Sequence, residues 1–314
     1  MKSITKFTNA LMEKYLPDPY IFVVILTLLV VIMGVALTDS SPLDMAIYWG
    51  DGFWKLLAFT MQMVVVLAAG HVLAHSPLFQ KLLAGLASKI KTPGSAIVIV
   101  TFVSLVACWI NWGFGLVIGA LFAKQIAKTV RGVDYRLLIA SAYSGFVIWH
   151  GGLAGSIPLS LATKDHPFEK ITGIIPTSDT IFTSYNMFIV LVILFTLPIF
   201  NRFMMPKPED VVEVRPELIQ EETHVFPPAD GSFASRSERS YVITAIVAVI
   251  GLTYLGWHFA TKGFALDLNV VNTIFVVLGI VLHGTPQRFL AAVEDAIKTT
   301  SGIVFQFPFY AGIM

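Results

Sequence analysis

The chain has 314 residues, 56% of them hydrophobic and 13% charged, with a mean hydropathy of +0.76. A soluble domain carries about 25% charged residues, so this composition excludes an ordinary soluble enzyme and implies a polytopic membrane protein. The formal net charge of +1 selects no partner; the placement of Lys and Arg matters more, because they mark the cytoplasmic side. The single cysteine, Cys108, rules out an intrachain disulfide and reads as a small core side chain.

Lys2, Lys6 and Lys14 precede the first apolar run, Tyr20–Leu37. That run is long for a signal-peptide core and no small-x-small site follows it, so it is expected to be a retained span. A loop with Asp39, Asp44 and Asp51 leads to the second span, Trp54–Ala74. Phe79–Lys91 sets Leu82, Leu83, Leu86 and Ile90 at helical spacing beside Lys81, Lys89 and Lys91. This pattern predicts an amphipathic helix on the cytoplasmic surface.

The 32 residues between Lys91 and Lys124 carry no charge. A straight helix of that length would be roughly 48 Å long, against about 30 Å of hydrocarbon. Both ends are basic, so the chain must turn back. The turn is expected at Asn111-Trp-Gly-Phe-Gly115, which makes 94–128 a helical hairpin with a polar tip. Lys124, Lys128, Arg131 and Arg136 form a cytoplasmic turn. Leu137–Thr163 follows without a charged residue, yet it contains His150-Gly-Gly-Leu-Ala-Gly-Ser-Ile-Pro-Leu-Ser160. Three glycines, a proline and two serines predict a broken transmembrane helix over 137–162. Broken backbone in a membrane is tolerated where protein or a water-filled cavity satisfies it, and transporters place such breaks at substrate sites.

The remaining expected elements are an outer loop Lys164–Thr180, a fourth span Ile181–Phe200 and a flexible cytoplasmic linker Asn201–Ser240. A fifth span, Tyr241–Ala260, and a sixth, Leu268–Leu282, follow. A polar segment, His283–Thr300, leads into the apolar Ser301–Met314. This layout puts 17 of the 21 Lys and Arg inside, with the N-terminus cytoplasmic.

Asp51, Lys55 and Gln62 begin a pattern that returns weakly at Asp295 and Gln306, an offset of 244. Five crossings separate the two copies, so the second starts on the opposite side. The expected fold is all-α and polytopic, with inverted-topology repeats, one hairpin and one broken helix. The first repeat fills 1–200, the linker 201–240, and 241–314 holds the linking span and the start of an incomplete second repeat. Repeats of similar size would need on the order of 130 further residues, so a fragment or truncated carrier is expected.

Four stretches resemble the short-chain fatty acid transporter family. They are Tyr15-Leu-Pro-Asp-Pro-Tyr20, Trp109-Ile-Asn-Trp-Gly-Phe-Gly-Leu116, Trp149 to Leu159, and Glu294 to Met314. A more distant resemblance is to the ion-transporter superfamily, in which hairpins and broken helices surround a site between a scaffold and a moving domain. The resemblance implies a carrier in the bacterial inner membrane for short monocarboxylates such as butyrate or acetoacetate. It leaves the coupling ion, H+ or Na+, open.

Candidate substrate-binding residues are Asn111, Gly113 and Gly115 at the hairpin tip and Gly151, Gly152, Ser156 and Ser160 at the break. Ser156 suits a helix N-cap, and free N–H groups at such an end donate to a carboxylate. A fixed cation would hold a monoanion too tightly for turnover, and no Lys or Arg lies in this run. His150 is the titratable group of the broken span and a candidate for proton coupling. Trp109 and Trp112 could line an apolar slot; packing serves them equally well. Gln62 reads as helix-to-helix glue. His71 and His75, at i and i+4, suggest a metal pair, but no acidic residue or cysteine accompanies them, so no metal is expected. A membrane-embedded enzyme is the rival function; no HExxH, acidic pair or Gly-x-Ser-x-Gly supports it. The expected partners are a small carboxylate, the lipid bilayer and a second copy in a homodimer, with neither nucleic acid nor a cofactor.

Overall fold

The computed structural model describes residues 2–219 and 226–314; linker residues 220–225 lie outside the described set. Among the described residues all regular structure is helical. The helices are α1 (Lys2–Tyr15), α2 (Pro19–Leu37), α3 (Pro42–Gly52), α4 (Leu57–Ala74), α5 (Pro77–Ala87), α6 (Pro93–Ile110), α7 (Trp112–Thr129) and α8 (Tyr135–Ser144). A 3₁₀ segment, Gly145–Gly151, continues α8. Then come α9 (Ser156–Ala162), α10 (Glu169–Thr172), α11 (Ser184–Phe203), α12 (Phe233–Glu238), α13 (Tyr241–Lys262), α14 (Leu268–His283), α15 (Pro286–Lys298) and α16 (Ser301–Ile313). Six helical stretches of the described chain are long and apolar enough to cross a membrane: α2, α4, α6, the composite Tyr135–Ala162, α11 and α13.

Helix starts follow local chemistry. Five helices open on a proline in the first turn, whose missing N–H costs nothing there. The expected loop around Asp44 and the polar segment after His283 contain the helices α3 and α15. Both begin Ser/Thr-Pro. At α3 a capping box closes the end: Ser41 Oγ accepts from the Asp44 N–H at 3.2 Å, and the Asp44 carboxylate accepts from the Ser41 N–H at 2.8 Å.

By internal contact the chain forms two compact units, 1–61 with 300–314, and 62–299. In the first, α2 and α3 pack on α16. Phe309 gathers Tyr20, Trp49 and Phe53 at ring distances of 5.4, 5.6 and 5.5 Å. Gly52 lets α3 approach the α16 backbone, where a Cβ would stand 2.9 Å from the Ala311 carbonyl oxygen.

The second unit is built round α6, which packs on α7, α8, the 3₁₀ segment and α11. Leu105, Ile148 and Val190 form its apolar centre. Small and polar side chains close the helix contacts, as membrane packing favours. Ser104 Oγ donates to the Ala142 carbonyl. Asn201 Nδ2 reaches both Thr101 Oγ1 (3.1 Å) and Ser144 Oγ (2.8 Å).

The expected surface helix is α5, but it packs along α7. Phe79 meets Phe114 edge-on at 4.9 Å, and Leu83, Ala87 and Ile90 are buried. Leu82 and Leu86 stay exposed. Apolar residues on two faces let the helix bury one against protein and leave the other outward.

Part of the linker is also ordered. Val212 bonds to the start of α8 through both of its backbone groups: the Tyr135 N–H donates to its carbonyl at 2.9 Å, and its own N–H donates to the Asp134 side chain at Oδ2, also 2.9 Å. The Gly132 N–H donates to Glu213 Oε1 at 2.6 Å, and Ile219 is 3% exposed. Burial opposes ionisation of Asp134, but the Arg136 guanidinium and the Leu137 and Val212 N–H groups outweigh it and hold the carboxyl below its ordinary value. The strap is therefore fully held above the unfolded pKa of about 4 and released as pH falls through the lower folded value. A hydrogen bond to a charged group contributes about 1.5–3 kcal/mol. Asp134→Ala should accordingly speed hydrogen exchange at the Val212 amide about 10- to 100-fold at neutral pH. An unchanged rate would show that the strap is held elsewhere.

Candidate functional site

Asn111 is both the last cap of α6 and the first cap of α7, in extended backbone, and it is fully buried. Its Oδ1 accepts from the Phe114 N–H at 2.9 Å and its carbonyl from the Gly115 N–H at 2.8 Å. That fixes the amide's orientation and leaves Nδ2 as a buried donor without a partner. The tip packs on α4. A Cβ on Gly113 would stand 2.8 Å from Leu67 Cα, and one on Gly70 would run into the Phe114 nitrogen. Gly115 backs onto Cys108 and lets the two arms close. Gly113 and Gly115 thus have packing reasons for carrying no side chain.

The break falls where expected. After Gly151 the chain is extended at Gly152 and resumes as α9 at Ser156. Its freed groups find partners in neighbouring helices. The Leu153 N–H donates to the Trp109 carbonyl at 2.6 Å, one of the last-turn carbonyls of α6 that lack a helical partner. Asn186 of α11 donates through Nδ2 to the Gly151 carbonyl at 3.1 Å and to the Ile181 carbonyl at 2.7 Å. Gly152 lies directly on the Trp109 backbone. Hairpin and broken helix therefore satisfy one another.

Ser156 was expected as the N-cap of α9. The cap is Gly155, and Ser156 is the first helical residue, so its hydroxyl is not used on its own helix. Instead Ser156 Oγ is buried without a partner. Ser160 lies one turn further along, half-buried, its carbonyl accepting from the Thr163 N–H at 2.9 Å. With seven residues, α9 also carries only a weak dipole.

Aromatic rings wall the junction. Trp112 meets Trp149 at 5.6 Å and Phe146 at 6.1 Å, and Trp149 lies 3.8 Å from the half-buried His150 ring. Trp109 Nε1, Trp112 Nε1 and His150 Nδ1 are buried without partners, like Asn111 Nδ2 and Ser156 Oγ. An amide, two indoles and a hydroxyl are hydrogen-bond donors, and a carboxylate is an acceptor only. Gln62 lies elsewhere, bonding through Nε2 to Asn269 Oδ1 at 3.0 Å while its carbonyl accepts from Asn272 Nδ2 at 3.0 Å. Sequence reasoning missed Asn186; its signal was an amide inside an otherwise apolar span. Trp149 was legible only as part of a motif.

This is the architecture of a multi-pass helical membrane protein, with a hairpin folded against a broken span. The chain belongs to the short-chain fatty acid transporter family: the model described as "Short chain fatty acid transporter" matches residues 1–314. A protein of Escherichia coli (strain K12) named "Putative short-chain fatty acid transporter" is 46% identical over 312 residues, covering 99% of this chain and 71% of its own length. One of the same name from Haemophilus influenzae (strain ATCC 51907 / DSM 11121 / KW20 / Rd) is 43% identical over 319 residues, again covering 99% and 71%. No solved structure matches the chain. The family is one of transporters rather than enzymes.

Proposed function

We propose that the chain carries short monocarboxylates such as butyrate or acetoacetate across the bacterial inner membrane by alternating access, with an ion as co-substrate. The observation that carries this is the set of buried, unpartnered donors on the hairpin tip and the broken span: Asn111 Nδ2, Trp109 Nε1, Trp112 Nε1 and Ser156 Oγ. Donors without a fixed cation suit an anion that must be released again, and the surrounding rings suit a short acyl chain. The positive end of α7, an 18-residue helix capped by Asn111, adds favourable potential. Gly151, Gly152 and Ser160 then shape the break rather than hold charge.

Inverted repeats belong to the same proposal. Supporting them, α3 and α15 begin at Pro42 and Pro286, and α4 and α16 at Leu57 and Ser301, both pairs offset by 244. The distribution of Lys and Arg supports a cytoplasmic N-terminus, and a homodimer is the proposed assembly.

Vesicles containing the protein should take up labelled butyrate faster than protein-free vesicles, and equal rates would overturn the proposal. Ser156→Ala should weaken butyrate affinity about 10- to 100-fold, the worth of one hydrogen bond to a charged group. Because Oγ has no protein partner, thermal stability should not fall. Unchanged kinetics would remove Ser156 from the site.

A further inference from the structure

Three of the seven histidines meet at the ends of two helices. His71, in the last turn of α4, and His75, the residue just past its end, have their rings stacked at 4.2 Å and 19°. His283 closes α14. Its Nε2 donates to the Val72 carbonyl at 2.9 Å, and His75 Nδ1 donates to the His71 carbonyl at 3.0 Å. These bonds settle which nitrogen holds the proton in each ring and leave His75 Nε2 and His283 Nδ1 as bases. His71 Nδ1 is buried without a partner.

Capping the last carbonyls of α4 needs only a neutral donor, which glutamine or serine would supply. Imidazoles add what neither of those side chains has, a ring nitrogen that can take up a proton. The negative ends of α4 and α14 both finish here and favour a cation. Among the described residues no group of three His, Cys, Asp or Glu is arranged to hold a metal ion. The charged neighbours are few. From α15, Asp295, itself paired with Lys298 at 2.7 Å, acts on His71, and Arg288 acts on His283. From α5 there is the exposed Lys81, and the first turns of α7 carry no titratable group. Next to His71, Gly70 touches the hairpin tip at Phe114 and Gly113. The cluster and Asn111 thus share one turn of α4.

We infer that His71, His75 and His283 form the proton site of a carboxylate–proton symporter. A proton from solvent enters the cluster as the carboxylate settles at the junction and leaves with it, so the loaded protein carries no added net charge. This rests on the junction being the carboxylate site. It places the coupling proton on α4 and α14 rather than on His150.

The test is calorimetric titration of butyrate into the full chain, in two buffers of different ionisation enthalpy at one pH. The wild type should take up protons on binding. His71→Gln/His75→Gln/His283→Gln should still bind butyrate with at least fivefold less proton uptake, because glutamine keeps a donor but cannot be protonated. His71→Gln alone is the milder variant, since His71 Nδ1 makes no bond that the fold needs; it should also lower the uptake. The inference is overturned if wild type binds butyrate without proton uptake, or if the histidine variants bind butyrate and take up as many protons as wild type. If wild type binds no butyrate by calorimetry or by equilibrium dialysis of the labelled acid, the transport proposal fails, and this inference with it.

Discussion

Asn111→Asp should abolish butyrate binding at neutral pH while leaving the hairpin folded. The aspartate keeps the oxygen that caps the Phe114 N–H at 2.9 Å. It replaces the unpartnered Nδ2 donor with a second oxygen. One hydrogen bond to a charged group is lost, worth about 1.5–3 kcal/mol, and a like charge then faces the ligand. Together these should weaken binding by at least about a hundredfold. Lowering the pH protonates the introduced carboxylate. A protonated aspartic acid is a near copy of asparagine with a donor restored. Binding should therefore return as pH is lowered, which a plain packing defect would not do. Butyrate titrations between neutral and acid pH check this; wild-type affinity at neutral pH would take Asn111 out of the site.

Gly152→Ala should destabilise the membrane region strongly for the addition of a single methyl group. Its Cβ would collide with the Trp109 carbonyl oxygen and stand 2.8 Å from Trp109 Cα. Both are backbone atoms, so no rotamer change relieves the clash. Hairpin and broken helix would have to part, and the bond from Leu153 N–H to the Trp109 carbonyl would be strained or lost. Overpacking costs about 1–3 kcal/mol, and a buried group left unsatisfied costs about 1–3 kcal/mol more. Gly151→Ala is the control. Its Cβ would meet the Asn186 and Val190 side chains at 2.8 and 3.0 Å, which can move. Thermal unfolding followed by labelling of the buried Cys108, the one thiol in the chain, reports both. Equal midpoints for the two variants would show that the Gly152 contact yields more easily than its geometry implies.

Much of this site was legible before any coordinates. The uncharged stretch between Lys91 and Lys124 was too long for one crossing, and Asn111 with two nearby glycines marked the turn. Gly151, Gly152 and Pro158 marked the break within a residue or two. These are local signals, since helix length, charge and cap chemistry act within a few residues of the chain. The role of each glycine was not legible. Gly113, Gly115 and Gly152 read as substrate-binding candidates, yet Gly115 lies against the facing arm of its own hairpin, and Gly113 and Gly152 lie against backbone from segments the sequence does not place beside them. The linker's polar composition likewise concealed a strap on Asp134, because its bonds run to residues nearly 80 positions away.

The three histidines show the same division. His71 and His75 drew notice through their i, i+4 spacing, while His283 lay more than 200 positions along, with nothing in its neighbourhood to connect it to them. The long apolar stretches, the hairpin turn and the break could be read from the chain alone, because hydrophobic length, basic flanks and caps are properties of short stretches. Only the tertiary structure decided which helix ends converge, which glycines are contact points and which buried donors are left without partners. Those outcomes depend on close packing between segments far apart in the chain, where one Cβ more or less determines whether two backbones can touch.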